Sequence, residues 1–235
     1  MSGPSVAVIA HRGASAVQHE NTVEAFVEAR RLGADMVELD VRRTSEGELV
    51  IHHDASIPEA GAIHELRRDA LPVWVPTLEQ AMEACTGMMV NIEVKNWPAD
   101  PDFDEERRIA VAVGESVVAR GWVDRVLVSS FDLSTIDRVR AVDETIPTAL
   151  LTLPGLDQLE AAATAHARGH RALHPHDFAV TGELVEHLHA QGMDINVWTV
   201  DDPARMRALV GLGVDGICTN VPGVLVEVLA ALGQR

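Results

Sequence analysis

Two kinds of hydrophobic pattern alternate along the chain. Short apolar runs rich in β-branched residues recur eight times, and such runs are typical of buried parallel strands. They lie at 6–10, 36–41, 88–94, 125–130, 148–153, 171–175, 194–200 and 214–219. Most are separated by a longer amphipathic stretch with helical spacing of its apolar residues. The pattern therefore predicts strands that alternate with helices.

Eight helices are predicted from the longer stretches. They cover 21–33, 77–87, 104–121, 133–142, 156–169, 181–192, 202–213 and 221–233. Several end in glycine, which is typical of a helix C-terminus. Parallel strands need crossovers of this kind, so the 235 residues favour a closed (β/α)₈ barrel of the TIM type, in one domain spanning 1–235. An open doubly wound sheet is the alternative.

The alternation is interrupted after the second strand. The residues "RRTSEGELVIHH" predict a short hairpin, and the insertion that follows, about 55–76, shows no regular period. In a barrel this insertion lies at the carboxyl end of a strand, where loops build active sites. A long irregular loop in a compact fold is more often functional than idle.

Composition excludes several classes of partner. The formal net charge is −17, so we expect no nucleic-acid binding and no general attraction to anionic membranes. Cys85 and Cys218 have no disulfide or metal-ligand spacing and are expected to be buried thiols. The apolar run at the N-terminus is too short for a signal or a membrane span. We therefore expect a cytoplasmic protein without stable membrane insertion, and the oligomeric state is left open.

Polar residues gather where the predicted strands end. His11 and Arg12 follow the first strand, His53 follows the hairpin, and the others lie within or just after strands: Glu38, Asp40, Glu93, Lys95 and Trp198. Since the carboxyl ends of barrel strands share one rim, these separate segments are expected to meet there.

The three acids indicate a metal site. Glu38 and Asp40 are two residues apart on one strand and therefore point to the same face. Together with Glu93 they would repel one another strongly unless a cation lay between them. Oxygen ligands alone favour Mg²⁺ or Ca²⁺ over zinc. The alternative, in which each acid pairs with a basic side chain or faces water, is disfavoured because isolated charges are costly to bury.

The basic residues indicate phosphate chemistry. Arg12 and Lys95 provide local positive charge that the acidic chain otherwise lacks. His11 stands at a strand exit, where a general acid or base could act, and of the adjacent pair His52 and His53 at most one is expected in the site. A metal, two cations and two imidazoles describe a phosphoryl-transfer site. Five other histidines are expected to be solvated: His64, His166, His170, His187 and His189.

Seven short motifs follow one another in a recognisable order. They are "HRG", "ENTVEAF", "GADMVELDV", "HHD", "NIEVKN", "VWTV" and "GVDGICTNVP", from residue 11 to about 222. This series resembles the glycerophosphodiester phosphodiesterase family. The resemblance implies a (β/α)₈ barrel with a divalent metal at the carboxyl ends of its strands and an insertion after the second strand.

The resemblance also implies a role for each candidate. His11 and His53 would be the acid–base pair, and His53 is chosen over His52 because the matching pattern is His followed by Asp. The metal ligands would be Glu38, Asp40 and Glu93, the phosphate would be held by Arg12 and Lys95, and the pocket would be lined by Trp198. The implied reaction hydrolyses a small glycerophosphodiester through a cyclic phosphate to glycerol 3-phosphate and an alcohol. Which histidine is the base in the first step is left open.

Two positions depart from the family pattern. His19 stands where the family usually has proline, and Asn220 stands where it commonly has aspartate. The first is expected to cost little and could add a polar contact near the rim, and the second is expected to affect a structural cap but not the chemistry. The insertion is too short to form a large cap, so an open pocket is expected.

Two other functions stay open. Phospholipase D-like action on lysophospholipids would use the same site, but 3% aromatic residues without tyrosine give little sign of an apolar channel. The insertion could still provide a modest apolar lip from Ile63, Leu66, Leu71, Val73 and Trp74. A non-catalytic phosphodiester-binding barrel is the second alternative, and it would be expected to lack one of the histidines or acids.

Overall fold

The computed structural model describes residues 6–58 and 60–235, and eight of its parallel strands close into a barrel. The strands are β1 (Ala7–His11), β2 (Met36–Arg43), β3 (Leu49–Ile51), β4 (Ser56–Ile57), β5 (Gly61–Ala62), β6 (Met89–Val94), β7 (Val126–Ser130), β8 (Thr148–Thr152), β9 (Ala172–Pro175), β10 (Asp194–Val197) and β11 (Gly216–Thr219). The barrel order is β1, β2, β6, β7, β8, β9, β10 and β11, and β11 pairs with β1. The predicted closed barrel is confirmed, and the open sheet is wrong.

A helix follows each barrel strand along the chain. The helices are α1 (Val23–Arg31), α2 (Leu78–Ala84), α3 (Arg108–Ala119), α4 (Leu133–Val142), α5 (Gln158–Ala167), α6 (Gly182–Ala190), α7 (Pro203–Leu212) and α8 (Pro222–Ala231). Six of them begin after a Thr or Asp whose side chain accepts a backbone N–H, an arrangement that stabilises each helix start by about 1 kcal/mol. Among the described residues, none forms a helix with the length and apolar character needed to cross a membrane.

Strand β2 shows how the sequence separates the core from the site. Val37, Leu39 and Val41 are completely buried in the main hydrophobic cluster, which also holds residues of the surrounding helices. Glu38 and Asp40 alternate with them and therefore point to the opposite face, into the barrel. One short strand thus contributes apolar side chains to the core and acidic side chains to the barrel interior.

The insertion has a small hydrophobic core of its own. Strand β3 pairs antiparallel with the end of β2, as the predicted hairpin requires, and β4 pairs with β5. The apolar cluster beneath them consists of Val50, Ile57, Ile63, Leu71 and Val75, with Ala60 and Leu66 packed against it. Of the expected apolar lip, only Val73 and Trp74 are exposed. The other three residues stabilise the insertion.

One histidine prediction is wrong. His170 is buried, and its Nδ1 lies 2.8 Å from Thr148 Oγ1 while its Nε2 lies 3.2 Å from Asp137 Oδ1. His170 lies where the chain returns from α5 to β9. The two polar partners compensate for the burial of its imidazole ring. Cys85 and Cys218 are buried free thiols, as expected.

Candidate active site

Three acidic side chains meet inside the carboxyl end of the barrel. Asp40 of β2 is paired in register with Glu93 of the neighbouring β6, and Glu38 lies one strand period before Asp40. One carboxylate oxygen from each residue lies within 4.8 Å of the other two. All three residues are buried, so the expected convergence of the acids is present in the fold. We call these three residues the acidic cluster.

The acidic cluster has the properties of a site for a hard divalent cation. Within the described part of the chain, Oε1 of Glu38 and Oδ1 of Asp40 are buried and have no hydrogen-bond partner. A buried carboxylate oxygen without a partner is strongly destabilising unless a bound ion compensates for it. The donors are all carboxylate oxygens, which fits Mg²⁺ or Ca²⁺. The residues present therefore fit the implied metal.

The three carboxyl groups are electrostatically unequal. Burial raises the pKa of Glu38, and the nearby charges of Asp40 and Glu93 raise it further. Burial also raises the pKa of Glu93. Burial acts in the same direction on Asp40, but Lys95 and Arg12 more than offset it and lower the pKa of Asp40 to about 2. Without a cation, the acidic cluster therefore holds Asp40 ionised and disfavours the charges of its two neighbours.

Both predicted cations lie against the acidic cluster. The backbone N–H of Arg12 donates to Glu38 Oε2 at 2.9 Å, and Arg12 Nε lies 3.1 Å from Asp40 Oδ2. Lys95 Nζ lies 2.7 Å from Glu93 Oε1 and 3.4 Å from Asp40 Oδ1. A phosphate at the acidic cluster would therefore meet an arginine on one side and a lysine on the other.

The tautomer of His11 follows from a chain of hydrogen bonds. Asn220 Nδ2 donates to Asp201 Oδ2 at 2.7 Å, so the amide oxygen of Asn220 must face the other way. That oxygen lies 2.7 Å from His11 Nδ1, which therefore carries the proton of the neutral ring. The unprotonated Nε2 lies 3.9 Å from Glu38 Oε2. The lone pair of His11 is thus held toward the acidic cluster.

His53 reaches the site from the hairpin and has a different partner. Its Nδ1 lies 2.8 Å from Asp54 Oδ1, and its backbone carbonyl accepts from Arg42 Nε at 2.8 Å. Burial lowers the pKa of His53, whereas the hydrogen bond to Asp54 acts to raise it. The ring of neighbouring His52 instead lies 5.9 Å from that of Trp74. The two adjacent rings therefore have different partners, as expected, although His52 Nδ1 also lies 2.9 Å from the backbone carbonyl oxygen of Asp54.

Trp198 lies in the middle of a series of aromatic contacts, between Phe131 and His176. It lines one cavity together with His11, Glu38 and Glu93. Its Nε1 donates to the carbonyl of His174 at 2.8 Å, which fixes the ring. The predicted pocket position of Trp198 is therefore present in the fold.

Sequence analysis missed residues that fix the site in place. Asn21 donates from Nδ2 to Asp40 Oδ2 at 2.7 Å. The buried Arg42 donates two hydrogen bonds of 2.7 Å from Nη1 to the carboxylate of Asp102. Its Nε donates a third to the backbone carbonyl of His53. A signal for Arg42 existed, because it lies two residues beyond Asp40 on the same face of β2.

The two departures from the family pattern have distinct surroundings. Asn220 contacts His11 directly, so it does more than form a structural cap. His19 packs edge-on against Trp74 with ring centroids 4.6 Å apart, so its contact on the rim is with an apolar ring.

Comparison with known proteins agrees with this geometry. The sequence model of the Glycerophosphoryl diester phosphodiesterase family matches residues 11–224. A glycerophosphodiester phosphodiesterase of Caldanaerobacter subterraneus subsp. tengcongensis is 31% identical, and the alignment covers 94% of this chain and 97% of the relative.

Solved structures share the fold along nearly its whole length. One from Silicibacter pomeroyi DSS-3, assigned to the glycerophosphoryl diester phosphodiesterases, has a TM-score of 0.88 at 26% identity, with coverage of 99% of this chain and 96% of that one. An Oleispira antarctica phosphodiesterase, solved with its product sn-glycerol-3-phosphate, has a TM-score of 0.84 at 24% identity, with coverage of 96% and 97%. The chain belongs to the glycerophosphoryl diester phosphodiesterase family and is a phosphodiester hydrolase.

Proposed function

We propose that the protein hydrolyses glycerophosphodiesters to glycerol 3-phosphate and an alcohol in a metal-dependent reaction. One observation carries the proposal: a buried acidic cluster in which Glu38 Oε1 and Asp40 Oδ1 accept no hydrogen bond from any residue that the structure describes, with two cations and two histidines around it. Family membership supports the substrate class, since a relative at 31% identity is named for this activity.

The metal is assigned to the acidic cluster of Glu38, Asp40 and Glu93. Mg²⁺ or Ca²⁺ bound there would polarise the phosphate and favour ionisation of a nearby hydroxyl group. Arg12 and Lys95 hold the phosphate oxygens by charge-assisted hydrogen bonds. Both side chains already lie at the acidic cluster in the fold, so they need little reorganisation to bind.

The two histidines have complementary tasks in the first step. His11 Nε2 takes the proton of the glycerol 2-hydroxyl, because its Nδ1 is protonated and faces a neutral amide. The hydroxyl oxygen bonds to phosphorus as the bond to the alcohol oxygen breaks, and His53 gives that oxygen a proton. The hydrogen bond to Asp54 orients the ring of His53 and acts against the lowering of its pKa by burial, which suits the acid. Water then opens the cyclic phosphate with the roles of the histidines reversed.

The reaction is tested by following glycerophosphocholine with purified protein. We expect glycerol 3-phosphate and choline to form, EDTA to stop the reaction, and Mg²⁺ or Ca²⁺ to restore it. Phosphorus NMR during turnover should show the cyclic phosphate, and a substrate whose 2-hydroxyl is methylated should not react. Binding of glycerophosphocholine without turnover, in metal-loaded protein, would instead establish a non-catalytic barrel.

A further inference from the structure

Two further polar atoms inside the barrel are buried without a hydrogen-bond partner. Asn91 Oδ1 and Ser129 Oγ bond to none of the residues that the structure describes, and Asn91 is 3% exposed while Ser129 is completely buried. A buried polar group in this state destabilises the fold, and an apolar side chain of similar shape would be tolerated at least as well. Such a group calls for a bound ion or water molecule that supplies its partner.

Both residues stand directly beside the acidic cluster in the barrel wall. Asn91 on β6 is paired in register with Glu38 on β2, and Ser129 on β7 is paired in register with Glu93 on β6. Register partners on neighbouring strands lie about 5 Å apart. Asn91 also lines the cavity that His11, Glu38 and Glu93 share. Two of the three acids therefore have a neutral polar neighbour that is free to form a hydrogen bond.

The acids themselves are oriented by other residues. One oxygen of each carboxylate accepts a hydrogen bond, and the donors are the backbone of Arg12 for Glu38, the amide of Asn21 for Asp40 and the ammonium group of Lys95 for Glu93. The second oxygen of each acid is thereby left available to the ion. Asn91 and Ser129 are not needed to fix the acids, so their partner has to be another group.

The missing partner of Asn91 Oδ1 has to be a hydrogen-bond donor. An amide oxygen can only accept, and ionised carboxylates have no proton to donate. Water bound to a divalent cation is a donor, and the charge of the cation makes its protons more acidic. Mg²⁺ usually keeps several of its water molecules in protein sites, whereas Ca²⁺ takes more oxygen ligands in a flexible geometry. Neutral polar atoms beside the acidic cluster therefore suit hydrated Mg²⁺ better than Ca²⁺.

We propose that Asn91 and Ser129 are positioning residues that hold a water molecule on the ion, and that they make the acidic cluster prefer Mg²⁺ over Ca²⁺. This inference rests on the proposed function, because it requires that the acidic cluster binds the metal. The held water fixes the ion between the oriented acids, and neither residue has to contact the substrate. Two buried polar atoms that destabilise the metal-free fold thus gain their partner when the hydrated ion binds.

Neighbouring serines on β7 provide a matched pair of variants. Ser130 Oγ donates to the carbonyl of Val94 at 2.8 Å, whereas Ser129 Oγ has no partner in the described chain. Ser129→Ala should lower Mg²⁺ affinity about 10-fold and leave the urea midpoint of the metal-free protein unchanged or higher. Ser130→Ala should have the opposite effects, a lower urea midpoint and an unchanged Mg²⁺ affinity. Calorimetric titration and urea unfolding in EDTA measure these two quantities.

Asn91→Leu tests the choice of ion. Leucine is close to asparagine in size and lacks the amide, so the variant removes the hydrogen bond and keeps the barrel filled. Mg²⁺ affinity should fall about 10-fold, as it does when a residue that orients a metal site is removed. Ca²⁺ affinity should fall much less, so the preference for Mg²⁺ over Ca²⁺ should narrow. The urea midpoint of the metal-free variant should not fall.

The outcomes separate this inference from the proposed function. Unchanged Mg²⁺ titrations of Asn91→Leu and Ser129→Ala, beside normal binding by the original protein, would overturn the inference alone. Equal losses of Mg²⁺ and Ca²⁺ affinity in Asn91→Leu would also overturn it, because Asn91 would then be a direct ligand. Lower urea midpoints in Asn91→Leu and Ser129→Ala, as large as in Ser130→Ala, would show a structural role instead. Binding of neither ion by the folded original protein would overturn the proposed metal dependence as well.

Discussion

The two sides of the catalytic rim are built on different principles. On one side, after β11, β1 and the hairpin, the two candidate histidines are held by specific hydrogen bonds, as in the series from His11 through Asn220 to Asp201. On the other side lie five residues that we call the aromatic strip, in the order Trp97, Phe131, Trp198, His176 and Phe178. The aromatic strip consists of rings in edge-on or tilted contact, and Phe178 at its end is exposed to solvent. Hydrogen bonds require defined geometry, whereas apolar contact is non-directional. The comparison suggests that the polar side determines the reaction and the aromatic side determines which substrates undergo it.

The largest loss is expected from the histidines of the polar side. His11→Ala and His53→Ala should each lower kcat by about 10²- to 10⁴-fold, the usual contribution of a positioned acid or base. Steady-state kinetics on glycerophosphocholine measures the loss, with circular dichroism and metal titration to show an intact fold. His52→Ala, next in the chain, should have little effect. Retained activity in either of the first two variants would remove that residue from the acid–base pair.

The acidic cluster is expected to give the next largest effect. Glu93→Gln removes one charged ligand and should weaken metal affinity by 10-fold or more, since even residues that only orient ligands contribute about 10- to 100-fold. Calorimetric titration with Mg²⁺ and Ca²⁺ measures this directly. Glu65→Gln neutralises an exposed acid in the insertion and serves as the control. An unchanged titration would exclude Glu93 as a ligand.

A matched pair of arginines sharpens the comparison between the two sides. The guanidinium group of Arg42 donates hydrogen bonds to the carboxylate of Asp102 and to the backbone carbonyl of His53. The guanidinium group of Arg205 donates in the same way to the carboxylate and the backbone carbonyl of Asp177, beside the aromatic strip. Lysine keeps the charge but loses the planar fork. Arg42→Lys should therefore lower kcat about 10-fold with little change in metal affinity, because it frees the loop that carries the acid.

Arg205→Lys removes the same kind of paired guanidinium hydrogen bonds on the aromatic side and should leave kcat for glycerophosphocholine unchanged. Equal losses of kcat in the two variants would show that the effect is general destabilisation and would contradict a positioning role for Arg42. Urea unfolding of both proteins provides the necessary comparison of stability.

The barrel and the candidate residues could be predicted because they depend on local pattern. In β2 the same alternation that buries Leu39 toward the helices turns Glu38 and Asp40 inward, and the topology of parallel strands then brings in Glu93. His11 could be placed in the site because it ends a strand. The fold and the convergence of the candidate residues were therefore available from spacing together with one rule of architecture, whereas the choice of His53 over His52 and the role of each residue came from the family resemblance.

The contacts that fix these residues could not be predicted in the same way. The carboxylate partner of Arg42, Asp102, lies 60 residues away in an irregular loop, and the orientation of Asn220 depends on Asp201 across another loop. The sequence analysis underestimated the apolar surface beside the active site, because a low aromatic content says nothing about where the aromatic residues lie. Only four tryptophans and four phenylalanines occur in the chain, yet half of these eight lie in the aromatic strip: Trp97, Phe131, Phe178 and Trp198.

The smallest expected effect concerns a histidine beneath the aromatic strip. His174 is buried, accepts from Asn196 Nδ2 at 2.9 Å through its Nε2, and has its pKa lowered by burial to about 3. The unfolded chain binds a proton at this residue below about pH 6.5 and the folded protein does not, so stability is present above that pH and is lost as the pH falls toward 3.

His174→Gln keeps an acceptor for Asn196 but removes the titrating group. Relative to this variant, the free energy of unfolding of the original protein should fall by about 1.4 kcal/mol per pH unit between pH 6.5 and 4. Urea unfolding at pH 7.5, 6 and 5 measures the difference, and the same replacement at exposed His166 controls for the loss of a histidine. Parallel pH dependences of the original protein and His174→Gln would mean that His174 takes up a proton in the folded state. Water would then reach the residues beneath the aromatic strip more easily than it reaches the polar side. That result would contradict the comparison of the two sides given above.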